Sequence, residues 1–118
     1  MQPSFDDLTQ RLLTFRDERD WQRFHSLKNL MLSVNVEAAE LLELVQWKDD
    51  KAIEAALTEP EFQARLAEEC ADVLNYLLLI CERAEIDLGA ATLEKIERNA
   101  AKYPIEKSRG RATKYTEL

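Results

Sequence analysis

Glu68-Glu69-Cys70-Ala71-Asp72-Val73-Leu74-Asn75-Tyr76-Leu77-Leu78-Leu79-Ile80-Cys81 is among the most apolar stretches of this 118-residue chain, yet Glu69 and Asp72 are embedded in it. Wound as an α-helix, with Glu69 at 0° and about 100° per residue, Leu66, Val73, Leu77 and Ile80 fall between about 20° and 80°. Leu74, Cys81 and Leu78 fall between about 120° and 180°, so the segment is apolar on two sides. A surface helix normally carries one apolar stripe. The second side is therefore expected to be covered by another copy of the chain, the alternative being a fifth, short helix of the same chain.

Working outward, the pattern stays helical. Glu59-Pro60 opens this long helix, proline being well tolerated at the first helical position, and it runs to about Ala84. Upstream, Ser4 and Asp7 resemble an N-cap arrangement, and Leu8, Leu12 and Phe15 form a stripe to roughly Arg19. Asp20 to His25 reads as a connection, and Ser26 caps a helix running to about Trp47. Asp49-Asp50 opens a short helix that ends near Thr58, and Asp87 caps a last one to about Lys102, closed by Pro104. With only 2 Gly and 3 Pro, no repeat and no linker, residues 1–118 read as one all-α, four-helix-bundle-like domain with a basic, mobile tail over 105–118.

The helix before Trp47 repeats the oddity. Relative to Glu37, Leu30 lies at about +20°, Leu41 at +40° and Leu44 at −20°, with Glu40 bordering the stripe at −60°. Glu69 has Phe62 and Ile80 near +20°, Tyr76 near −20° and Asp72 at −60°. Glu43 and Glu68 fall about 100° to 120° away, as ordinary solvated surface. Acids on helix faces commonly pair with Lys or Arg, and Arg65, one turn before Glu69, is placed to do so. One cation cannot neutralise four carboxylates, however, and no basic residue lies within a turn of Glu37 or Glu40 on their stripe. Glu37, Glu40, Glu69 and Asp72 are therefore expected to hold a divalent metal. An oxygen-only ligand set suits Mg²⁺, with Mn²⁺ as a substitute, and both commonly bind substrate phosphates as well. A di-iron bundle would need Glu-x-x-His pairs, whereas the single histidine, His25, lies outside any such motif.

Charge and composition narrow the partners. The net charge is −7, but residues 101–118 carry five basic against two acidic side chains, leaving −10 on residues 1–100. An acidic body argues against a nucleic-acid polymer as partner, whereas a basic tail suits a phosphorylated small molecule or a partner subunit. The longest apolar run is far too short to span a bilayer. No signal peptide is visible, and Cys70 and Cys81 read as reduced core residues of a cytoplasmic protein. Lys95, Asn99 and Lys102 share one face of the last helix and, with Lys107, Arg109, Arg111 and Lys114, offer contacts to phosphate or simply form a solvated basic face. Trp47, about 10 Å along the axis from Glu40, and Trp21 are each either a stacking surface for a base or an ordinary core or interface anchor.

Taken together, the residues resemble a known family. Glu37-Ala-Ala-Glu40-Leu-Leu-Glu-Leu-Val-Gln-Trp47 followed by Glu68-Glu69-Cys-Ala-Asp72-Val-Leu-Asn-Tyr76 is similar to the all-α nucleoside triphosphate pyrophosphohydrolases of the MazG-like superfamily, and nearest to its dCTP pyrophosphatase branch. Glu18-Arg-Asp-Trp21 with Phe24-His25, Lys95 and Asn99 ahead of Lys102-Tyr103-Pro104, and Ser108-Arg109-Gly110 with Lys114-Tyr115-Thr116 extend the likeness over nearly the whole chain. The resemblance implies Mg²⁺-dependent hydrolysis of dCTP, or a modified dCTP, to the monophosphate and pyrophosphate. It implies metal ligation by Glu37, Glu40, Glu69 and Asp72, with Glu40 as the proton acceptor. Lys95, Asn99 and Lys102 would hold phosphates with Tyr76 nearby, Trp21 and Trp47 would form the base pocket, and Arg109 and Lys114 would close over the substrate from the tail. It also implies a homo-oligomer, a tetramer built as a dimer of dimers ahead of a dimer. The alternatives are a sibling enzyme with dUTP or broad nucleotide specificity, and a non-catalytic helical interaction module.

Overall fold

The structure is a computed structural model that describes residues 2–117. Among these residues it contains helices and turns and no strand. Helix α1 spans Phe5–Glu18, α2 Leu27–Glu43, α3 Asp50–Ala56, α4 Pro60–Arg83, α5 Leu88–Lys102 and α6 Ile105–Ser108, with 3₁₀ turns at Gln22–Phe24 and Tyr115–Glu117. The chain divides into two compact units, one ending at Glu85 and one beginning at Ile86.

In the first unit α4 is the central strut, packed along α2 and against α1. The helix starts are set by local chemistry. The Ser4 hydroxyl accepts from the Asp7 backbone N–H at 3.1 Å while the Asp7 carboxylate accepts from the Ser4 backbone N–H, a complete capping box. Ser26 and Asp49 cap α2 and α3 by accepting from Asn29 and Ala52 backbone N–H groups at 3.1 and 2.8 Å. Each such cap contributes about 1 kcal/mol. Leu30, Leu44, Phe62, Leu78, Leu79 and Cys81 form the buried core, each large apolar side chain stabilising the fold by roughly 1.5–3 kcal/mol.

Three expectations change. Helix α2 ends at Glu43 and not near Trp47: Leu44 to Trp47 form a turn that finishes with Trp47 at a positive φ of 69°. Trp47 therefore leaves the helical wheel on which it was placed beside Glu40. Both sides of α4 are substantially covered within the chain, since Leu78 and Cys81 are buried and Leu74 is half-buried. Exposed apolar side chains lie instead on α2, at Met31, Leu32, Val36 and Leu42, and on α5, at Leu93 and Ile96. Of the two free thiols, only Cys81 is a core residue, its pKa raised by burial. Cys70 is exposed, because the flank of α4 that is covered at Leu74 and Cys81 is open one turn earlier.

In the second unit, the Asp87 side chain caps α5 by accepting from the Ala90 N–H at 3.0 Å, and Arg98 pairs with Glu94 one turn away at 2.6 Å. The basic tail has structure of its own beyond α6. It turns at Gly110, whose φ of 75° suits glycine, and brings Tyr115 edge-on to Tyr103 with ring centroids 6.0 Å apart. The Lys102 Nζ lies 4.8 Å from the Tyr115 ring centroid.

Candidate metal centre

Glu37 and Glu40 on α2 and Glu69 and Asp72 on α4 converge where these helices pack. One carboxylate oxygen from each of the four lies within 4.8 Å of all the others. Both pairs have i, i+3 spacing, so each helix presents two acids to the same gap. Glu37, Glu40 and Glu69 are half-buried, whereas Glu43 and Glu68 are exposed. The helical wheel had separated these two groups correctly.

The electrostatics of the cluster are unfavourable as it stands. Glu37 has its pKa pushed up to about 7, first by burial, then by hydrogen bonding of its protonated form to the Glu40 carboxylate, and then by the charges of Glu40, Asp72 and Glu69. Glu69 is raised by burial first and then by Glu40, Asp72 and Glu68. The Oε2 atoms of both Glu37 and Glu69 are buried with no hydrogen-bond partner. Among the described residues, no Lys, Arg or His lies within salt-bridge distance of any of the four, and Arg65 points to solvent unpaired. Two orphaned carboxylate oxygens, four like charges and an all-oxygen donor set fit a hard divalent cation. Glu37, Glu40, Glu69 and Asp72 would be the residues to hold such an ion.

The remaining sequence candidates are distributed as follows. Tyr76 is half-buried on α4, one turn beyond Asp72. Trp21 precedes the first 3₁₀ turn, 43% exposed, edge-on to Phe15 at 5.7 Å. Trp47 is 93% exposed. Lys95, Asn99 and Lys102 line one exposed face of α5 in the second unit, where Arg109 follows α6 and Lys114 precedes the last turn.

An all-helical protein with a four-carboxylate centre between two packed helices is the class these features define. The chain belongs to the MazG-like family, whose model matches residues 32–118. It is 40% identical over 117 residues to a dCTP pyrophosphatase 1 of Rattus norvegicus, covering 99% of this chain and 69% of that protein. The Homo sapiens dCTP pyrophosphatase 1 is 39% identical over the same length and with the same coverage. Among solved structures, a pyrophosphatase from Archaeoglobus fulgidus is 40% identical and superposes with a TM-score of 0.77, covering 88% of this chain and 95% of that one.

Proposed function

We propose that this chain is a nucleoside triphosphate pyrophosphohydrolase acting on dCTP or a modified dCTP, a single MazG-like catalytic domain over residues 1–118. The carrying observation is the carboxylate quartet with two unpartnered buried oxygens, in a chain 40% identical to a dCTP pyrophosphatase. In this reading Glu37, Glu40, Glu69 and Asp72 hold Mg²⁺ or Mn²⁺. The bound ion supplies positive charge against which the phosphate oxygens and the attacking water are held. Glu40, whose carboxylate interacts with both Glu37 and Glu69, accepts the proton of the water that attacks the α-phosphorus. The bond from that phosphorus to the bridging oxygen of the β-phosphate breaks, giving the monophosphate and pyrophosphate.

Lys95, Asn99 and Lys102 bind phosphate oxygens from α5, with Arg109 and Lys114 contributing from the tail and Tyr76 lying beside the metal ligands. Trp21 and Trp47 provide aromatic surface for the base, an assignment supported for Trp47 by its being held almost wholly in solvent at a strained backbone angle. The exposed stripe of Met31, Leu32, Val36 and Leu42 favours self-association through α2, as a dimer-of-dimers tetramer ahead of a dimer. Among the described residues no helix is long and apolar enough to cross a membrane, and the reading places the enzyme with cytoplasmic nucleotide pools.

The test is to incubate purified protein with each nucleoside triphosphate and Mg²⁺ and to measure pyrophosphate release. Release from dCTP that stops with EDTA supports the reading; no release from any nucleotide refutes it. Light scattering at several concentrations tests the oligomer, and a monomer throughout contradicts it.

A further inference from the structure

The basic segment after α5 is closed on itself by a pair of tyrosines. Tyr103 ends α5, its backbone N–H donating to the Asn99 carbonyl at 2.9 Å. Past α6 the chain reverses at a type II turn. Arg109 has φ −57° and ψ 122°, Gly110 has a φ of 75°, and the Arg111 N–H donates to the Ser108 carbonyl at 3.0 Å. The last 3₁₀ turn then returns Tyr115 to Tyr103, with ring centroids 6.0 Å apart and an interplanar angle of 79°. A flexible chain of this length would leave its ends about 20 Å apart. Here the two rings are in edge contact.

This clasp gathers cations. The Lys102 Nζ lies 4.8 Å from the Tyr115 ring centroid, within cation–π range. Lys114 directly precedes Tyr115, so the two ends of the basic segment are brought together. Lys102, Lys107, Arg109, Arg111 and Lys114 are exposed and form no ion pair among the described residues, although Glu106 and Glu117 lie in the same segment. Drawing unpaired like charges together is unfavourable in the free protein. A polyanion set between them removes that repulsion, and a lysine already held in place loses less side-chain freedom on binding it.

We propose that Tyr103 and Tyr115 are positioning residues that hold Lys102 and Lys114 as one cationic cluster for the terminal phosphates of the substrate. The proposal rests on the pyrophosphohydrolase reading and adds what orders its phosphate-binding side chains. Neither tyrosine touches the reacting atoms; both act through the lysines. The Tyr115 ring does this work, since its face attracts the Lys102 ammonium while Tyr103 meets it edge to face. The Tyr115 hydroxyl is dispensable. An ordered cluster of this kind grips substrate and transition state alike, so its loss is felt in KM and not in kcat.

The test uses the full chain. Tyr115→Ala should raise KM for dCTP about five-fold or more while kcat changes less than two-fold, and Tyr115→Phe, which keeps the ring, should hold KM within two-fold. Combining Tyr115→Ala with Lys102→Gln should cost at least three-fold less than the product of the two single losses, because the ring acts through that lysine. Multiplicative losses, an unchanged KM in Tyr115→Ala, or equal impairment of Tyr115→Phe and Tyr115→Ala overturns the assignment and leaves the function reading standing. A second readout needs neither metal nor catalysis. Inorganic pyrophosphate titrated calorimetrically in EDTA should bind the unaltered chain and Tyr115→Phe alike, and Tyr115→Ala about five-fold or more weakly. That pattern without hydrolysis of any nucleotide supports the clasp and defeats the function reading. Equal pyrophosphate binding by the unaltered chain and Tyr115→Ala, or none by either, overturns the clasp.

Discussion

Glu37 and Glu43 lie on one helix, and Glu69 and Glu68 on another, yet the inner and outer acids live in different chemistry. The inner ones, with Glu40 and Asp72, face the gap between α2 and α4 and crowd to within 4.8 Å, leaving two buried oxygens without partners. The outer ones, rotated by about 100° to 120°, are exposed. Residue type and helix are the same, so the angle around the helix decides which carboxylate can be a ligand and which is solvent-facing surface.

The largest expected separation is catalytic. Glu40→Gln should lower pyrophosphate release from dCTP by about 10²–10⁴-fold, while Glu43→Gln, one turn on and exposed, should change it less than two-fold. Equal effects would erase the distinction between the faces.

A smaller effect appears in the metal-free protein. The folded pKa of Glu37, about 7, lies above its ordinary 4.5, so the folded state holds this proton more tightly than the unfolded chain. Its contribution to stability is fully present below pH 4.5 and is lost as pH rises through about 7. In EDTA, the melting temperature should fall across that window by about 5 °C, partial exposure keeping the change modest. Saturating Mg²⁺ should reverse the trend, since the metal needs the carboxylates deprotonated. A metal-free melting temperature that rises through the window would contradict the assigned cause.

Glu37→Gln should mimic protonation, raising the metal-free melting temperature at pH 8 by about 2–5 °C while weakening stabilisation by Mg²⁺. Smallest of all, Glu68→Gln should alter unfolding free energy by less than about 0.5 kcal/mol; chemical denaturation measures it directly.

Much of this contrast was legible before the fold was seen, because helix starts and helix faces are written locally. Ser4, Ser26, Asp49, Pro60 and Asp87 each mark a start that the structure contains. The ends were less legible. Leu44 and Val45 continue the apolar pattern of α2 with no glycine or proline to stop it, and the chain turns instead through Trp47 at a φ of 69°, a conformation large aromatic residues do not advertise. The wheel found two apolar sides on α4 but not what covers them, because helix-on-helix packing depends on partners distant in sequence. Exposed apolar side chains remain on α2 at Met31, Leu32, Val36 and Leu42 and on α5 at Leu93 and Ile96.

The most direct measurement is a calorimetric titration of Mg²⁺ into metal-stripped protein near pH 6.5, run in two buffers of different ionisation enthalpy. Saturable binding with proton release is expected, abolished in the double variant Glu37→Gln/Glu69→Gln and retained in Glu43→Gln/Glu68→Gln. Absence of binding in the unaltered chain, or equal binding in the two double variants, would contradict a metal centre built from the inner carboxylates.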